Sequence, residues 1–345
     1  MTGPEVAGID RDGVTSWLVD HVDGLAAPFE FALVAGGRSN LTFTVTDANG
    51  RQIVLRRPPL GSVLATAHDV TREHKIIAAL GPTAVPVPDA LGSCVDAQVN
   101  GAPFYVMSFV DGVIVRDVNA GRALTTEATR ERMGRSLIDV LADLHAVDPD
   151  EVGLGDLGRK EGYIERQLKR WSTQFEASRN RELPLVDSVH CRLAAAIPEQ
   201  GPATIAHGDY RLDNCICSPD GPLAAVLDWE LCTLGDPMAD LGMLVICWAE
   251  ANDSRTARPD AATQLPGFPS RAEVVEQYAK RTQRDVGNLS YYCAFQYWRL
   301  ACISEGVYAR YAAGAMGEQG DVNVELLSQG TPRLAALAEA ELDSA

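Results

Sequence analysis

The stretch TIAHGDYRLDNCICSPDGPLAAVLDWE, residues 204–230, decides how the rest of the chain is interpreted. Three polar residues stand in it at fixed spacing: Asp209 closes a His-Gly-Asp tripeptide, Asn214 follows five positions later, and Asp228 ends an apolar run. The apolar run comes directly after an Asp-Gly-Pro sequence and therefore predicts one strand of a short hairpin. Asp228 is expected at the end of that strand, where the backbone holds it rigidly.

Two carboxylates and one amide in this order suit the transfer of a phosphoryl group from a nucleoside triphosphate. The Mg²⁺ that accompanies the phosphates takes oxygen ligands and needs only a few of them from the protein. Asn214 and Asp228 can supply these, and Asp209 on a loop can then act as base for an acceptor hydroxyl. The protein-kinase signature has the same order, in which the Asp of H-R-D is the base and an Asn and a second Asp hold the metal.

The stretch resembles the aminoglycoside phosphotransferase and choline kinase group of small-molecule kinases, which share the protein-kinase fold and carry H-G-D where protein kinases carry H-R-D. Residues 235–242, GDPMADLG, are similar to the group's G-D-P-x-x-D-L-A run, with Gly242 in place of alanine. The alternative is that H-G-D arises by chance and that Asp228 only caps a strand. The presence of Asn214 and Asp240 in the same pattern makes that the weaker interpretation.

The resemblance implies an α+β, bilobal protein-kinase-like fold, with an N-terminal antiparallel sheet plus a helix and a larger, mainly helical C-terminal lobe. It implies an N-terminal nucleotide-binding lobe with a leading helix at residues 1–107, a hinge at 108–112, and a helical lobe with the catalytic loop and acceptor site at 113–345. Local patterns agree with this division. Residues 29–56 alternate with period two and predict a three-stranded meander, whereas the later apolar spacing is mainly helical.

The first turn of the meander, GGRSN at residues 36–40, has a possible role in phosphate binding. Glycines let backbone N–H groups approach a phosphate, and the side chains of Ser39 and Asn40 add donors. A Gly-Gly hairpin turn is also common where no ligand binds. The resemblance implies that this loop covers the nucleotide phosphates, with Gly36, Gly37, Ser39 and Asn40 as contacts.

The third strand carries Arg56 at the place where a kinase is expected to have a lysine that holds the α- and β-phosphates and pairs with a glutamate. An arginine can chelate phosphate oxygens through its fork, but it is not equivalent to lysine. The predicted partner is Glu73, in the middle of a helix at 69–80. The alternatives are a surface arginine at a strand end and a solvated glutamate.

Further site residues follow from the resemblance. The backbone of the hinge at Ser108 and Val110 is expected to bind the adenine, which leaves ATP and GTP undistinguished. His207 and Asp240 are expected to support the catalytic loop. Arg211, two residues after the base, could stabilise charge on the transferred phosphoryl group.

Composition excludes some classes of function. The chain has 345 residues, 46% of them hydrophobic and 22% charged, which is enough for two lobes with cores. Its net charge of −17 argues against nucleic-acid and anionic-membrane partners and is compatible with a cationic substrate. No apolar stretch approaches the roughly 20 residues that span a bilayer, and the N-terminus lacks the pattern of a signal peptide. A cytoplasmic location with reduced cysteines is therefore expected.

The motifs G-G-x-S-N, L-R-R-P-P, H-G-D-Y-R-L-D-N and L-D-W-E are most similar to one branch of the group, whose members stand alone in bacteria or occur as kinase domains fused to acyl-CoA dehydrogenases. The resemblance implies a phosphotransferase that uses ATP, or GTP, and Mg²⁺ to phosphorylate a hydroxyl of a small molecule, such as a hydroxyacyl-CoA or a related metabolite. Two alternatives remain: an aminoglycoside-resistance kinase, and a nucleotide-binding pseudokinase that acts as a scaffold. Arg56 favours the pseudokinase, and the intact Asp209, Asn214 and Asp228 oppose it. The oligomeric state is not predicted.

Overall fold

The computed structural model describes residues 6–34, 40–60, 69–314 and 323–344. The helices in chain order are α1 (Arg11–His21), α2 (Val70–Leu80), α3 (Ala97–Asn100), α4 (Val118–Leu124), α5 (Glu127–Ala146), α6 (Tyr163–Ser178), α7 (Pro184–Ala195), α8 (Pro237–Cys247), α9 (Arg271–Thr282), α10 (Leu289–Ala312) and α11 (Val324–Asp343). The strands are β1 (Glu30–Leu33), β2 (Leu41–Thr46), β3 (Gln52–Arg57), β4 (Ala90–Cys94), β5 (Phe104–Ser108), β6 (Thr204–Ala206), β7 (Cys215–Cys217), β8 (Leu223–Val226) and β9 (Thr233–Gly235).

The chain divides into two compact units, and neither is continuous in sequence. The first unit comprises Met1–Val113, Cys215–Ser218 and Leu223–Leu231. The second unit comprises Ile114–Asn214, Pro219–Pro222 and Cys232–Ala345.

The first unit is built on a five-stranded antiparallel sheet with the strand order β1-β2-β3-β5-β4. Alternate residues of β2 and β3 are buried, because a half-buried strand exposes every second side chain. Helix α2 begins at the N-cap Asp69, whose carboxylate accepts from the backbone N–H groups of Thr71 and Arg72. It packs on β4 and β5. The paired strands β7 and β8 belong to this unit, and β8 ends two residues before Asp228.

The core of the first unit forms where α1 covers the sheet. Trp17 of α1 contacts Phe104 edge to face, with ring centroids 4.9 Å apart, and both belong to one cluster with Phe43 and Leu55. Gly92 of β4 lies below Trp17: a Cβ atom there would come within 3.0 Å of the indole. Burial of these aromatic and aliphatic side chains is the main contribution to the stability of the sheet.

The second unit is mainly helical and is centred on α10. This helix packs against α6, α7, α8 and α11, and its Tyr292, Phe295 and Trp298 are buried. The strands β6 and β9 pair as a short antiparallel ribbon before α8. Gly242 of α8 faces the backbone of Tyr292, where a Cβ atom would come within 2.9 Å of the carbonyl carbon. This close helix contact accounts for glycine where the resemblance predicts alanine.

The predicted α+β class is confirmed, with an antiparallel sheet and helix in the first unit and a helical second unit. Strand β5 ends at Ser108, and Gly101 terminates α3 at φ +69°. The eight cysteines are free thiols, as expected. Within the described ranges, the structure contains no helix that is both long and apolar enough to cross a bilayer.

Candidate active site

Arg56 is the centre of a charged cluster in the first unit. Its side chain is only 12% exposed, so it is not the surface arginine of the alternative interpretation. One guanidinium nitrogen, Nη2, donates to Asp228 Oδ1 at 2.7 Å, and Nε lies 3.4 Å from Glu73 Oε2. Burial alone would lower the pKa of Arg56, but the two carboxylates raise it above its ordinary value. The cation is therefore retained, and it joins two predicted site residues.

Glu73 is held by two further donors besides the ion pair. Asn40 Nδ2 donates to Oε1 at 2.8 Å, and the Tyr105 hydroxyl donates to Oε2 at 3.2 Å. The carboxylate is buried, which excludes the solvated glutamate of the alternative. Burial raises the pKa of Glu73, and the charge of Arg56 acts in the opposite direction. Asn40 is predicted as a phosphate contact, but its amide nitrogen donates a hydrogen bond to Glu73.

Asp228 has an uncommon backbone conformation. Its φ is +67°, in the left-handed region that residues other than glycine seldom occupy, although Asp and Asn do so more often than most. It lies two residues after the end of β8, close to the predicted strand end, and its side chain is 33% exposed. Backbone strain of this kind concentrates at functional sites. The carboxylate is thus presented to solvent at a fixed direction.

The other predicted nucleotide contacts lie in the glycine turn and in the hinge. Gly36, Gly37 and Ser39 lie outside the described residues. Ser108 closes β5, where its N–H donates to Asp89 O and its hydroxyl accepts from Asp89 N–H. Val110 is half-buried in the segment that follows. Adenine binding at Ser108 and Val110 stays a prediction.

In the second unit, Asp209 and Asn214 are brought together by a tight loop. Asn214 Nδ2 donates to both the backbone oxygen and Oδ2 of Asp209, each at 2.9 Å. Arg211 Nε donates to Oδ1 of the same carboxylate at 3.0 Å. A one-turn helix, Leu212–Asn214, makes this arrangement possible by folding the chain back after Arg211. The predicted base and the predicted amide ligand are therefore neighbours.

The loop that carries Asp209 is fixed by Asp240 in the first turn of α8. Asp240 is fully buried, and it accepts from His207 N–H at 2.6 Å and from Gly208 N–H at 2.8 Å. The buried His207 then accepts the Asp209 N–H on its Nδ1 at 3.2 Å. Burial would raise the pKa of Asp240, but the hydrogen bonds that it accepts lower it below its ordinary value. His207 and Asp240 therefore both contact the loop backbone, and their role in catalysis stays a prediction.

His145, at the end of α5, is a second partner of Asp240. Its Nε2 lies 3.3 Å from Asp240 Oδ2, and its Nδ1 lies 2.7 Å from the Tyr278 hydroxyl. A neutral ring with its proton on Nε2 satisfies both contacts, because the tyrosine can then donate to Nδ1. Burial lowers the pKa of His145, and its hydrogen bond to Asp240 only partly offsets this. The histidine is therefore uncharged in the folded protein.

Acidification is expected to destabilise the protein through His145. The folded pKa lies below the unfolded value of about 6.5, so the contribution is complete above that pH and is lost as the pH falls below it. Between the two pKa values only the unfolded chain binds the proton. The free energy of unfolding therefore falls by up to about 1.4 kcal/mol for each pH unit. Free energies of unfolding measured in urea at about pH 7.5 and about pH 5.5 should differ less in His145→Asn than in the wild type.

The exposed His21, on α1, provides the control for that experiment. His21→Asn should keep the pH dependence of the wild type. An unchanged dependence in His145→Asn would contradict the assignment of a neutral buried histidine.

Arg211 belongs to a chain of alternating charges in the second unit. It contacts Asp209 on one side and Asp213 on the other. Asp213 also accepts from Arg258 Nη1 at 2.8 Å, and Arg258 Nε donates to Asp260 at 3.2 Å. The predicted role of Arg211 at the transferred phosphoryl group stays a prediction. Its observed contacts are with the carboxylates of Asp209 and Asp213.

Three predicted site residues have the chemistry that Mg²⁺ and a nucleotide need. Asp228 offers a partly exposed carboxylate and Asn214 an amide oxygen, which are ligands that Mg²⁺ accepts. Arg56 Nε is buried without a hydrogen-bond partner, so it is a donor that a phosphate oxygen could satisfy. Within the described ranges there is no cluster of three or more His, Cys, Asp or Glu able to hold a metal. Asn214 and Asp228 belong to different units, and their joint coordination of one ion stays a prediction.

Sequence reasoning missed residues that contact the site from distant positions. Tyr105 reaches Glu73 across 32 positions, and Arg299 of α10 donates to the backbone oxygen of Gly208 across 91. Tyr105 could have been noted as a polar aromatic residue within an apolar strand. No local pattern singles out Arg299.

Comparison with protein families agrees with the geometry. The family model described as the phosphotransferase enzyme family matches residues 30–274, which include every described site residue named above except Tyr278 and Arg299. A curated relative, mouse acyl-CoA dehydrogenase family member 10, is 35% identical over 292 residues. That alignment covers 83% of this chain and 27% of the relative, so the chain spans about a quarter of the relative's length.

Solved structures give the same fold. A protein from Ralstonia eutropha JMP134, provisionally assigned as an aminoglycoside phosphotransferase, is 32% identical with a TM-score of 0.81 and coverage of 97% of this chain and 99% of that one. The GDP complex of aminoglycoside 2'-phosphotransferase-IIIa is 15% identical with a TM-score of 0.61, over 96% of this chain and 99% of that one, and shares the fold alone. The predicted kinase-like fold is confirmed by these likenesses, and the chain belongs to the phosphotransferase enzyme family.

Proposed function

We propose that this protein transfers the γ-phosphoryl group of ATP to a hydroxyl of a small molecule. The observation that carries this proposal is the Asp209 loop. A carboxylate is fixed by Asn214 and Arg211, and the loop backbone is fixed by Asp240. Such an arrangement gives a base with a defined position and places an amide with ligand chemistry beside it.

In the proposed reaction, Asp209 orients the acceptor hydroxyl and takes its proton as the oxygen bonds to the γ-phosphorus. The bond from that phosphorus to the β,γ-bridging oxygen breaks, ADP leaves, and Asp209 returns the proton to solvent. Arg56, with its unsatisfied Nε, binds phosphate oxygens of the nucleotide. Mg²⁺ held by Asn214 and Asp228 would neutralise negative charge on the phosphates.

We propose a hydroxylated acyl-CoA or a related anionic metabolite as the acceptor. The curated relative from mouse bears the name of an acyl-CoA dehydrogenase family member, which supports an acyl-CoA substrate only indirectly.

The test is consumption of ATP by the purified protein, with Mg²⁺, in the presence of fractionated metabolite pools. We expect turnover that depends on Mg²⁺ and that rises with fractions containing hydroxylated acyl-CoA esters, with phosphate recovered on the ester. Parallel assays with GTP and with EDTA determine the nucleotide and the need for metal. Turnover only with aminoglycosides, or raised drug tolerance of a sensitive host that expresses the protein, would overturn the acyl-CoA proposal.

A second candidate is a nucleotide-binding pseudokinase. The observation that favours it is the contact of Arg56 with Asp228, since the guanidinium occupies an oxygen that a metal would need. Binding of ATP without turnover on any pool would support this candidate and exclude the kinase.

A further inference from the structure

Gly208 is held through both of its backbone polar groups, which belong to two successive peptides. Its N–H donates to Asp240 Oδ1 at 2.8 Å, and its carbonyl oxygen accepts from Arg299 Nη1 at 2.6 Å. Gly208 has φ +84°, a left-handed conformation in which glycine is the favoured residue. Its carbonyl belongs to the peptide that leads into Asp209. The two bonds therefore fix the direction in which the chain enters the proposed base.

Arg299 is part of a closed ring of contacts around this peptide. Its Nη1 also donates to Gln296 Oε1 at 2.9 Å, and Gln296 Nε2 donates to the backbone oxygen of Ala239 at 2.7 Å. Ala239 directly precedes Asp240 in α8. One turn of α8 and one turn of α10 thus hold two successive peptides of the loop, on either side of the Gly208 Cα.

Each charge matches the backbone group that it contacts. The anion Asp240 accepts the N–H of the 207–208 peptide, and the cation Arg299 donates to the C=O of the 208–209 peptide. Charge-assisted bonds of this kind are stronger than neutral ones. Arg299 is only 3% exposed, with its guanidinium 5.1 Å from the ring centroid of Trp171. An apolar side chain could fill that space without desolvating a charge, so packing alone does not account for an arginine.

We propose that Arg299 is a positioning residue for phosphoryl transfer. Through the carbonyl of Gly208 it holds the backbone of Asp209 in the orientation that lets the carboxylate accept a proton. This inference rests on the function proposed above. It adds a residue outside the 30–274 segment that the family model matches.

The first test compares Arg299→Met and Arg299→Lys with Arg170→Met. Arg170 is a matched control, because it is exposed and stacks on the same Trp171 at the same 5.1 Å. The assay is Mg²⁺-dependent hydrolysis of ATP, with water as acceptor. Arg299→Met should lower kcat by about 10- to 100-fold, since small misplacements of a catalytic group have effects of this size. KM for ATP should stay within about 2-fold, and Arg299→Lys should recover part of kcat because it keeps a charged donor.

The second test measures hydrogen exchange of the backbone amides at residues 206–210, with α9 as reference. In Arg299→Met, exchange at 206–210 should rise by about 10-fold or more while α9 stays protected. Equal increases in both segments, or exchange and kcat no different from Arg170→Met, would overturn the proposal. If the wild type itself fails to hydrolyse or transfer phosphate, the proposed function fails. The exchange experiment then still decides whether Arg299 holds the Gly208 peptide.

Discussion

Replacing Asp209 by asparagine is expected to reduce phosphoryl transfer by about 10²- to 10⁴-fold, the usual contribution of a positioned general base. Asparagine keeps the shape of the side chain but cannot take a proton from a hydroxyl. Its NH₂ group would also replace one of the two accepting oxygens. It would then face a hydrogen-bond donor, either Asn214 Nδ2 or Arg211 Nε. The loss should appear in kcat. Nucleotide affinity, measured by calorimetry, should change little because Asp209 is proposed to contact the acceptor.

Asp220 serves as the control for this substitution. It is an exposed aspartate in the same stretch of sequence, and Asp220→Asn should retain wild-type turnover. Turnover of Asp209→Asn at the wild-type rate would remove Asp209 as the base and with it the proposed mechanism.

Replacing Arg56 by methionine is expected to destabilise the first unit and to weaken nucleotide binding. The buried Glu73 would keep its bonds from Asn40 and Tyr105 but lose its only counter-charge among the described contacts. Removing one partner of a buried pair typically costs about 3–5 kcal/mol, because the other charge is left uncompensated. Unfolding in urea measures this loss. A fluorescent ATP analogue measures the accompanying loss of affinity.

A double-mutant cycle makes the Arg56 prediction specific. Glu73→Gln removes the buried charge, so the Arg56→Met, Glu73→Gln double variant should recover most of the stability that Arg56→Met loses. Arg56→Lys should keep the charge near Glu73 yet bind Asp228 less well, because an ammonium lacks the fork that joins both carboxylates. Additive effects of the two single substitutions would show that the ion pair contributes little.

Local spacing was sufficient to predict the residues that one loop or one strand brings together. The five-residue offset from Asp209 to Asn214 corresponds to one short turn, and the observed bonds join those residues directly. The Arg56–Glu73 pair was predicted from the resemblance to kinases, and the structure places the two side chains in contact. The roles assigned to these residues remain proposals, because contact alone does not demonstrate catalysis.

Contacts between residues far apart in the chain could not be predicted from the sequence. Arg299 meets Gly208 only because α10 and α8 pack closely, and nothing near residue 299 encodes that packing. Helix α11 was not predicted either. It contains Pro332, which removes a backbone donor and normally ends a helix, but packing against α10 overrides this preference. The three-residue strands β6 and β9 are too short to produce a readable alternation.

The discontinuous first unit restricts how this gene can be dissected. A fragment ending at residue 113 would omit Cys215–Ser218 and Leu223–Leu231, and with them the strand whose Val226 N–H donates to Pro86 O at 2.9 Å. Arg56 would also be deprived of Asp228. Domain shuffling or split-protein reporters based on this scaffold must therefore keep the N-terminal segment together with the two later segments of the first unit. No single cut in the coding sequence yields either unit complete.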